Sequence, residues 1–194
     1  RSCVLVAGRR RAGVAAARRP VNACSCPDYS DQMPPSVTVI VRTKNRPEFL
    51  RRALSDIANQ SFVDLDIVVV NDGGERDAVN DIVSASEDER IRVYDTTGAG
   101  GRCAAANLGL RESMSEYVVL HDDDDLWHRD FLRRTVAVLD SSPEDAGVAV
   151  ATEIVYEERT SDGWTELSRQ PYWAGLTSMT LTGLLDVNRM VPIS

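Results

Sequence analysis

From Ser36 onward the apolar positions fall into two alternating rhythms. Val37, Val39, Ile40 and Val41 form a short β-rich run. Leu65 to Val70 is almost continuously apolar, the pattern of a strand covered on both faces in a parallel sheet. Between them, Phe49, Leu50, Ala53, Leu54, Ile57 and Ala58 recur at helical spacing and predict one buried helix face. Asn45-Arg46-Pro47-Glu48 reads as the start of that helix, with Asn45 as its cap, Pro47 in the first turn and Glu48 three residues after the cap. Asn59 to Ser61 closes it.

The same alternation continues downstream. Asn71-Asp72-Gly73-Gly74 is a turn signal. The pattern then predicts a helix over 77–86, a strand over 91–94, a flexible turn at Gly98, Gly100 and Gly101, a helix over 104–114 and a strand over 117–120. A helix over about 129–139 follows, with Phe131, Thr135, Val138 and Leu139 on one face. A strand over 148–156, a turn at Ser161-Asp162-Gly163, a partner strand from Trp164 and a helix over 177–187 complete the reading. Strand and helix alternating without an internal repeat predict an α/β fold, a mostly parallel, Rossmann-like sheet flanked by helices.

In such sheets ligands bind at the carboxyl ends of the strands. Three polar clusters stand there: Arg42-Thr43-Lys44-Asn45, Asn71-Asp72-Gly73-Gly74 and His121-Asp122-Asp123-Asp124-Asp125. They are far apart in sequence and are expected to meet along one edge. Adjacent carboxylates repel when ionised, so the acid run favours a bound cation or a raised pKa. In extended chain Asp122 and Asp124 would share one face, with Asp123 and Asp125 on the other. Hard oxygen donors suit Mg²⁺, Mn²⁺ or Ca²⁺, and Mg²⁺ typically takes one or two carboxylates and completes its shell with water and phosphate. Asp72 is placed to accept hydrogen bonds from a base or ribose, and the glycines behind it, Gly73 first, let a ligand approach the backbone. Arg42 and Lys44 either offset phosphate charge or are surface residues. Gly100-Gly101-Arg102 leads into a helix N-terminus, a natural anion site. Neither the P-loop nor the G-x-G-x-x-G spacing is present. His128 is read as structural rather than as a ligand, and Cys103 is not read as a nucleophile.

Charge and composition narrow the class. The 194 residues carry a net charge of −8, which argues against a general nucleic-acid binder. The first 19 residues hold six arginines and no acid, so the remainder carries −14. No apolar run approaches the ~18 residues of a membrane helix. The four cysteines lack paired zinc spacing and read as free thiols in a reducing cytoplasm. The chain does not begin with Met. Residues 1–35 are expected to be a leader or the tail of an upstream segment, with a short strand near Cys3 to Ala7, and residues 36–194 a separate domain.

Four blocks, in order, resemble family 2 glycosyltransferases of the GT-A fold. Val37 through Pro47 resembles their opening strand and loop, Ile67 through Gly74 their second strand, Gly101 through Leu110 their glycine- and alanine-rich helix, and Tyr117 through Trp127 the strand carrying the D-x-D motif. The resemblance covers residues 36–194. It implies inverting transfer of a sugar from a nucleoside diphosphate-sugar to an acceptor hydroxyl on a glycan, lipid or protein, assisted by Mg²⁺ or Mn²⁺. Asp122 and Asp124 would hold the metal. Asp72 would read the base, helped by Thr43 and Arg102, and Asp123 would touch the ribose or metal. Arg42, Asn45 and Gly73 complete the expected nucleotide-sugar-binding set. The family's general base lies well after D-x-D and is expected beyond Ser194. Glu157-Glu158 comes too early and on a hairpin, so residues 36–194 read as a donor-binding half, C-terminally truncated. The resemblance also suggests a cytoplasmic protein, with peripheral attachment at the inner membrane face as a variant. A non-catalytic sugar-nucleotide or cation module is the alternative. A nucleotidyltransferase is another, disfavoured because its first loop would carry glycine.

Overall fold

The computed structural model describes residues 7–9, 34–97, 100–161 and 163–172. Cys3, Cys24, Cys26, Gly98 and the helix expected over 177–187 lie outside the described residues. The elements are β1 (Ala7–Arg9), β2 (Val37–Thr43), α1 (Pro47–Ala58), β3 (Leu65–Asn71), α2 (Arg76–Ser86), β4 (Ile91–Asp95), α3 (Arg102–Glu112), β5 (Tyr117–Asp122), α4 (Phe131–Ser141), β6 (Gly147–Val148), β7 (Glu153–Thr160) and β8 (Gly163–Pro171). The expected strand over 148–156 is divided between β6 and β7, because β6 ends after pairing with β1 and β7 pairs with β8.

The main sheet has the order β4-β3-β2-β5-β1-β6. β4, β3, β2 and β5 run parallel, and β1 lies antiparallel between β5 and β6. Ala7–Arg9 thus belongs to the sheet and pairs the strand that carries the acid run. β7 and β8 form a separate hairpin. Its side chains reach α1 through Arg52 to Glu157, Arg159 to Glu48 and a ring contact between Phe49 and Trp164 at 5.4 Å.

Strand parity divides the core. Val37, Val39, Val41, Leu65, Ile67, Val69, Tyr117 and Val119 pack with Leu50, Ala53, Leu54 and Ile57 of α1, Val79 and Ile82 of α2 and the apolar side of α4. Ile40, Val68, Val70 and Val118 face the other way, toward Ala105 of α3. Every residue of β2 is buried, and its polar members Thr38, Arg42 and Thr43 are each hydrogen-bonded, to Ser115, Asp122 and Asp123. On the α3 side the helix lies very close to the sheet. A Cβ on Gly109 would stand 2.4 Å from Ile40 Cγ2, so only glycine admits this approach.

The beginning of α1 differs from expectation. Its N-cap is Arg46, with no side-chain cap bond. Asn45 takes a left-handed conformation, φ 52°, and its Oδ1 accepts the Glu75 backbone N–H at 2.9 Å. Asn45 therefore ties the first loop to the start of α2 instead of capping α1. The lure was local: Asn is an ordinary cap, but here its acceptor serves a donor 30 residues away.

Candidate functional site at the carboxyl edge of the sheet

Parallel register brings the three clusters together. Arg42 is the β-partner of Asp122, and Thr43 of Asn71, so the ends of β2, β3 and β5 form one edge. Parity then sets the direction of each side chain. Arg42 and Asp122 point to the α3 side. There Arg42 Nε donates to Asp122 Oδ1 at 3.1 Å, Nη2 donates to the same oxygen, and Nη1 reaches the Arg102 carbonyl at 3.3 Å. Thr43 points to the α1 side and its hydroxyl donates to Asp123 Oδ2 at 2.9 Å.

The acids do not alternate. β5 stops at Asp122, and the Asp125 N–H bonds the Asp122 carbonyl at 3.0 Å, closing a turn. Asp123 and Asp124 consequently face one guanidinium: Arg46 Nη1 lies 2.9 Å from Asp123 Oδ1 and Nη2 lies 3.0 Å from Asp124 Oδ2. The expected sharing of one face by Asp122 and Asp124 fails, because side-chain alternation requires extended backbone beyond Asp122. Instead Asp122 has a buried partner and Asp124 a half-exposed one. The Arg42 side chain is 9% exposed and that of Arg46 is 37% exposed.

Asp72 sits beyond β3. Its Oδ1 accepts the Thr96 hydroxyl at 3.0 Å and the Gly101 N–H at 2.9 Å, fastening the loop that opens α3. Gly73 and Gly101 take φ of 74° and 77°, a region closed to most side chains. Asn71 braces the same edge, with its amide on the Gly74 carbonyl and on Asp95 Oδ1, each at 2.9 Å. Beside these ends a cleft of about 300 Å³ opens between Thr43, Asn45, Arg46, Glu75, Val79 and Ile82.

Burial raises the Asp122 carboxyl above its ordinary range, against the opposing pull of Arg42. Burial does the same to Asp123, against Thr43 and Arg46. A carboxyl raised in the fold binds its proton more tightly folded than unfolded. The associated stability is present below the ordinary carboxylate pKa and is lost as pH rises through the raised value. At neutral pH the ionised Asp123 therefore opposes folding. Asp123→Asn, which keeps an acceptor for Thr43, is expected to raise the thermal midpoint at pH 7 by a few degrees. The gain should shrink as pH falls to about 4. Thermal denaturation at the two pH values checks both statements.

Among the described residues no group of three or more His, Cys, Asp or Glu is arranged as a metal cage. Mg²⁺ and Mn²⁺ sites that include substrate phosphates need only one or two carboxylates. The remaining candidates play supporting parts. His128 lies exposed after the acid turn, and its ring accepts the Asp130 N–H at 3.1 Å. Cys103 is an exposed free thiol. Glu157 is engaged by Arg52 on the hairpin. Two residues of the edge escaped sequence reasoning. Arg46 was hidden by its role as a helix-start residue, and Thr96 has no signature beyond lying after an edge strand.

Comparison with known proteins places this chain among relatives. The profile of the family described as glycosyl transferase family 2 matches residues 38–188. A mannosyltransferase from Pyrobaculum calidifontis, solved in complex with GDP-Man and Mn²⁺, superposes with a TM-score of 0.50 at 30% identity over 64% of this chain and 36% of that one. Staphylococcus aureus TarS 1–349 in complex with UDP-GlcNAc superposes with a TM-score of 0.50 at 25% identity, covering 55% of this chain and 31% of that one. The glycosyltransferase GlyG of Streptococcus pneumoniae is 27% identical over 129 residues, 66% of this chain and 41% of its own length. The chain thus spans less than half of these relatives.

Proposed function

The chain belongs to glycosyl transferase family 2, and from that membership we propose that the carboxyl edge of its sheet binds a nucleoside diphosphate-sugar together with Mg²⁺ or Mn²⁺, for inverting transfer of the sugar to an acceptor hydroxyl. The observation that carries the reading is the turn after β5. It presents Asp123 and Asp124 to a single half-exposed cation, Arg46, at the edge where parallel sheets bind ligands. The relatives solved with GDP-Man and Mn²⁺ and with UDP-GlcNAc support a nucleotide-sugar as the ligand class.

Each residue takes a role from its geometry. Asp124 would hold the divalent ion in place of Arg46, and Asp122 is a buried neighbour paired with Arg42. A divalent ion bound here would offset the charge that builds on the departing diphosphate. Arg46, once released, is free to meet phosphate oxygens with its two-pronged fork. Asp123, held by Thr43, faces the ribose. Asp72 has Oδ1 committed to Thr96 and Gly101, so contact with the base falls to Oδ2, with Arg102 at the adjoining helix start. Asn45 and Gly73 shape the backbone on either side of the cleft. No helix among the described residues is long and apolar enough to cross a membrane.

Calorimetric titration with UDP and GDP, with Mn²⁺ and then with a chelator, tests the proposal by binding alone. One of the two diphosphates is expected to bind only when Mn²⁺ is present. Equal affinity with chelator would remove the metal from the reading, and no binding of either would overturn the donor site.

A further inference from the structure

The loop that carries the acids is held from beneath by groups without an assigned role. Parity sends His121 to the α1 side, opposite to Asp122. The ring is fully buried, its Nδ1 meets the Asp122 carbonyl at 2.7 Å, and its Nε2 has no hydrogen-bond partner. That nitrogen lies 3.6 Å from Asp56 Oδ2, which comes from the third turn of α1. The same Asp56 oxygen accepts the Trp127 backbone N–H at 2.9 Å. The Trp127 indole is sandwiched between His121, 4.3 Å centroid to centroid, and Phe131 at 4.6 Å.

These contacts have one consequence. The Asp122 carbonyl receives both His121 Nδ1 and the Asp125 N–H, so it anchors the turn that aims Asp123 and Asp124. Trp127 is the far end of the same loop. Asp56 therefore touches both ends of the 122–127 segment, one directly and one through His121. We propose that Asp56, through the Trp127 N–H and the His121 imidazole, is a positioning residue that fixes the acid turn in the orientation required for the donor diphosphate and its cation. The inference rests on the donor-binding reading above for the purpose it assigns to the turn. Outer-layer groups that orient such carboxylates typically govern metal affinity by about 10–100-fold.

Three variants test it. Asp56→Ala removes both contacts, Asp56→Asn keeps an acceptor for the Trp127 N–H, and Gln60→Ala is the structural control. Gln60 is buried and holds the His128 carbonyl at 3.1 Å and the Leu132 N–H at 3.3 Å, just past the loop. In the ligand-free protein, amide resonances of Asp123, Asp124 and Asp125 are expected to move in Asp56→Ala and to return toward wild type in Asp56→Asn. Gln60→Ala should lower the thermal midpoint and leave them in place. Binding of Mn²⁺ with the diphosphate preferred by the wild type should weaken about 10–100-fold in Asp56→Ala only. Unmoved resonances in Asp56→Ala, or equal movement in Gln60→Ala, would overturn the inference. Failure of the wild type to bind any diphosphate would overturn the donor reading instead, since the ligand-free spectra decide the anchoring by themselves.

Discussion

Asp124→Ala is expected to weaken Mn²⁺-dependent binding of a nucleoside diphosphate by roughly a hundredfold, about 2.7 kcal/mol. The reason is the asymmetry of the acid turn. Asp122 is committed to a buried arginine, and Asp123 is bound by a threonine as well as by Arg46. Asp124 pairs with the half-exposed Arg46 and so is the one placed to exchange a guanidinium for a divalent ion. Removing its carboxylate leaves Arg46 on Asp123 and leaves a hard cation without its principal protein oxygen. The free protein should lose little stability, because Arg46 keeps Asp123 as a partner and the like-charge repulsion that Asp124 exerts on Asp122 and Asp123 is relieved. Calorimetry with and without Mn²⁺, beside a thermal melt, separates the two effects. Unchanged metal-dependent affinity would move the cation to Asp122 or out of the site.

The strands and the edge were legible in the sequence for a physical reason. A strand buried on both faces is apolar through its middle, and β2 at Val39 to Val41 and β3 at Ile67 to Val70 are. A parallel sheet must put its polar strand ends together, and Arg42, Asn71 and Asp122 meet in register. What sequence could not supply was direction after the strand ended. The shift from extended chain to a turn at Asp122 places Asp123 and Asp124 on one cation, and the Asp122 carbonyl that closes the turn is met by both the Asp125 N–H and His121 Nδ1. Asp56 lies even further from view. Its neighbours in α1 announce a buried face by their spacing, while its own task is set by a loop 71 residues away. Asn45 shows the converse: a strong local signal for a cap, overridden by a distant donor.

The largest effect on stability is expected from Arg42→Met. Arg42 and Asp122 are both nearly buried and share two hydrogen bonds through one carboxylate oxygen. Breaking such a pair from one side strands a charge in low dielectric, with a typical loss of about 3–5 kcal/mol. That is a large part of the ~5–15 kcal/mol by which domains are usually stable, so the variant should unfold at markedly lower denaturant. The double variant Arg42→Met/Asp122→Leu removes both charges and keeps apolar volume. It should recover most of the loss or exceed wild type, because desolvation offsets much of what a buried pair gains. The Asp122 carboxyl, raised by burial even with Arg42 beside it, points the same way. If the pair served packing alone, the double variant would bind a diphosphate with Mn²⁺ as the wild type does. Loss of that binding in a stabilised protein would instead show that the edge keeps an energetically unfavourable pair because its charges hold the ligand.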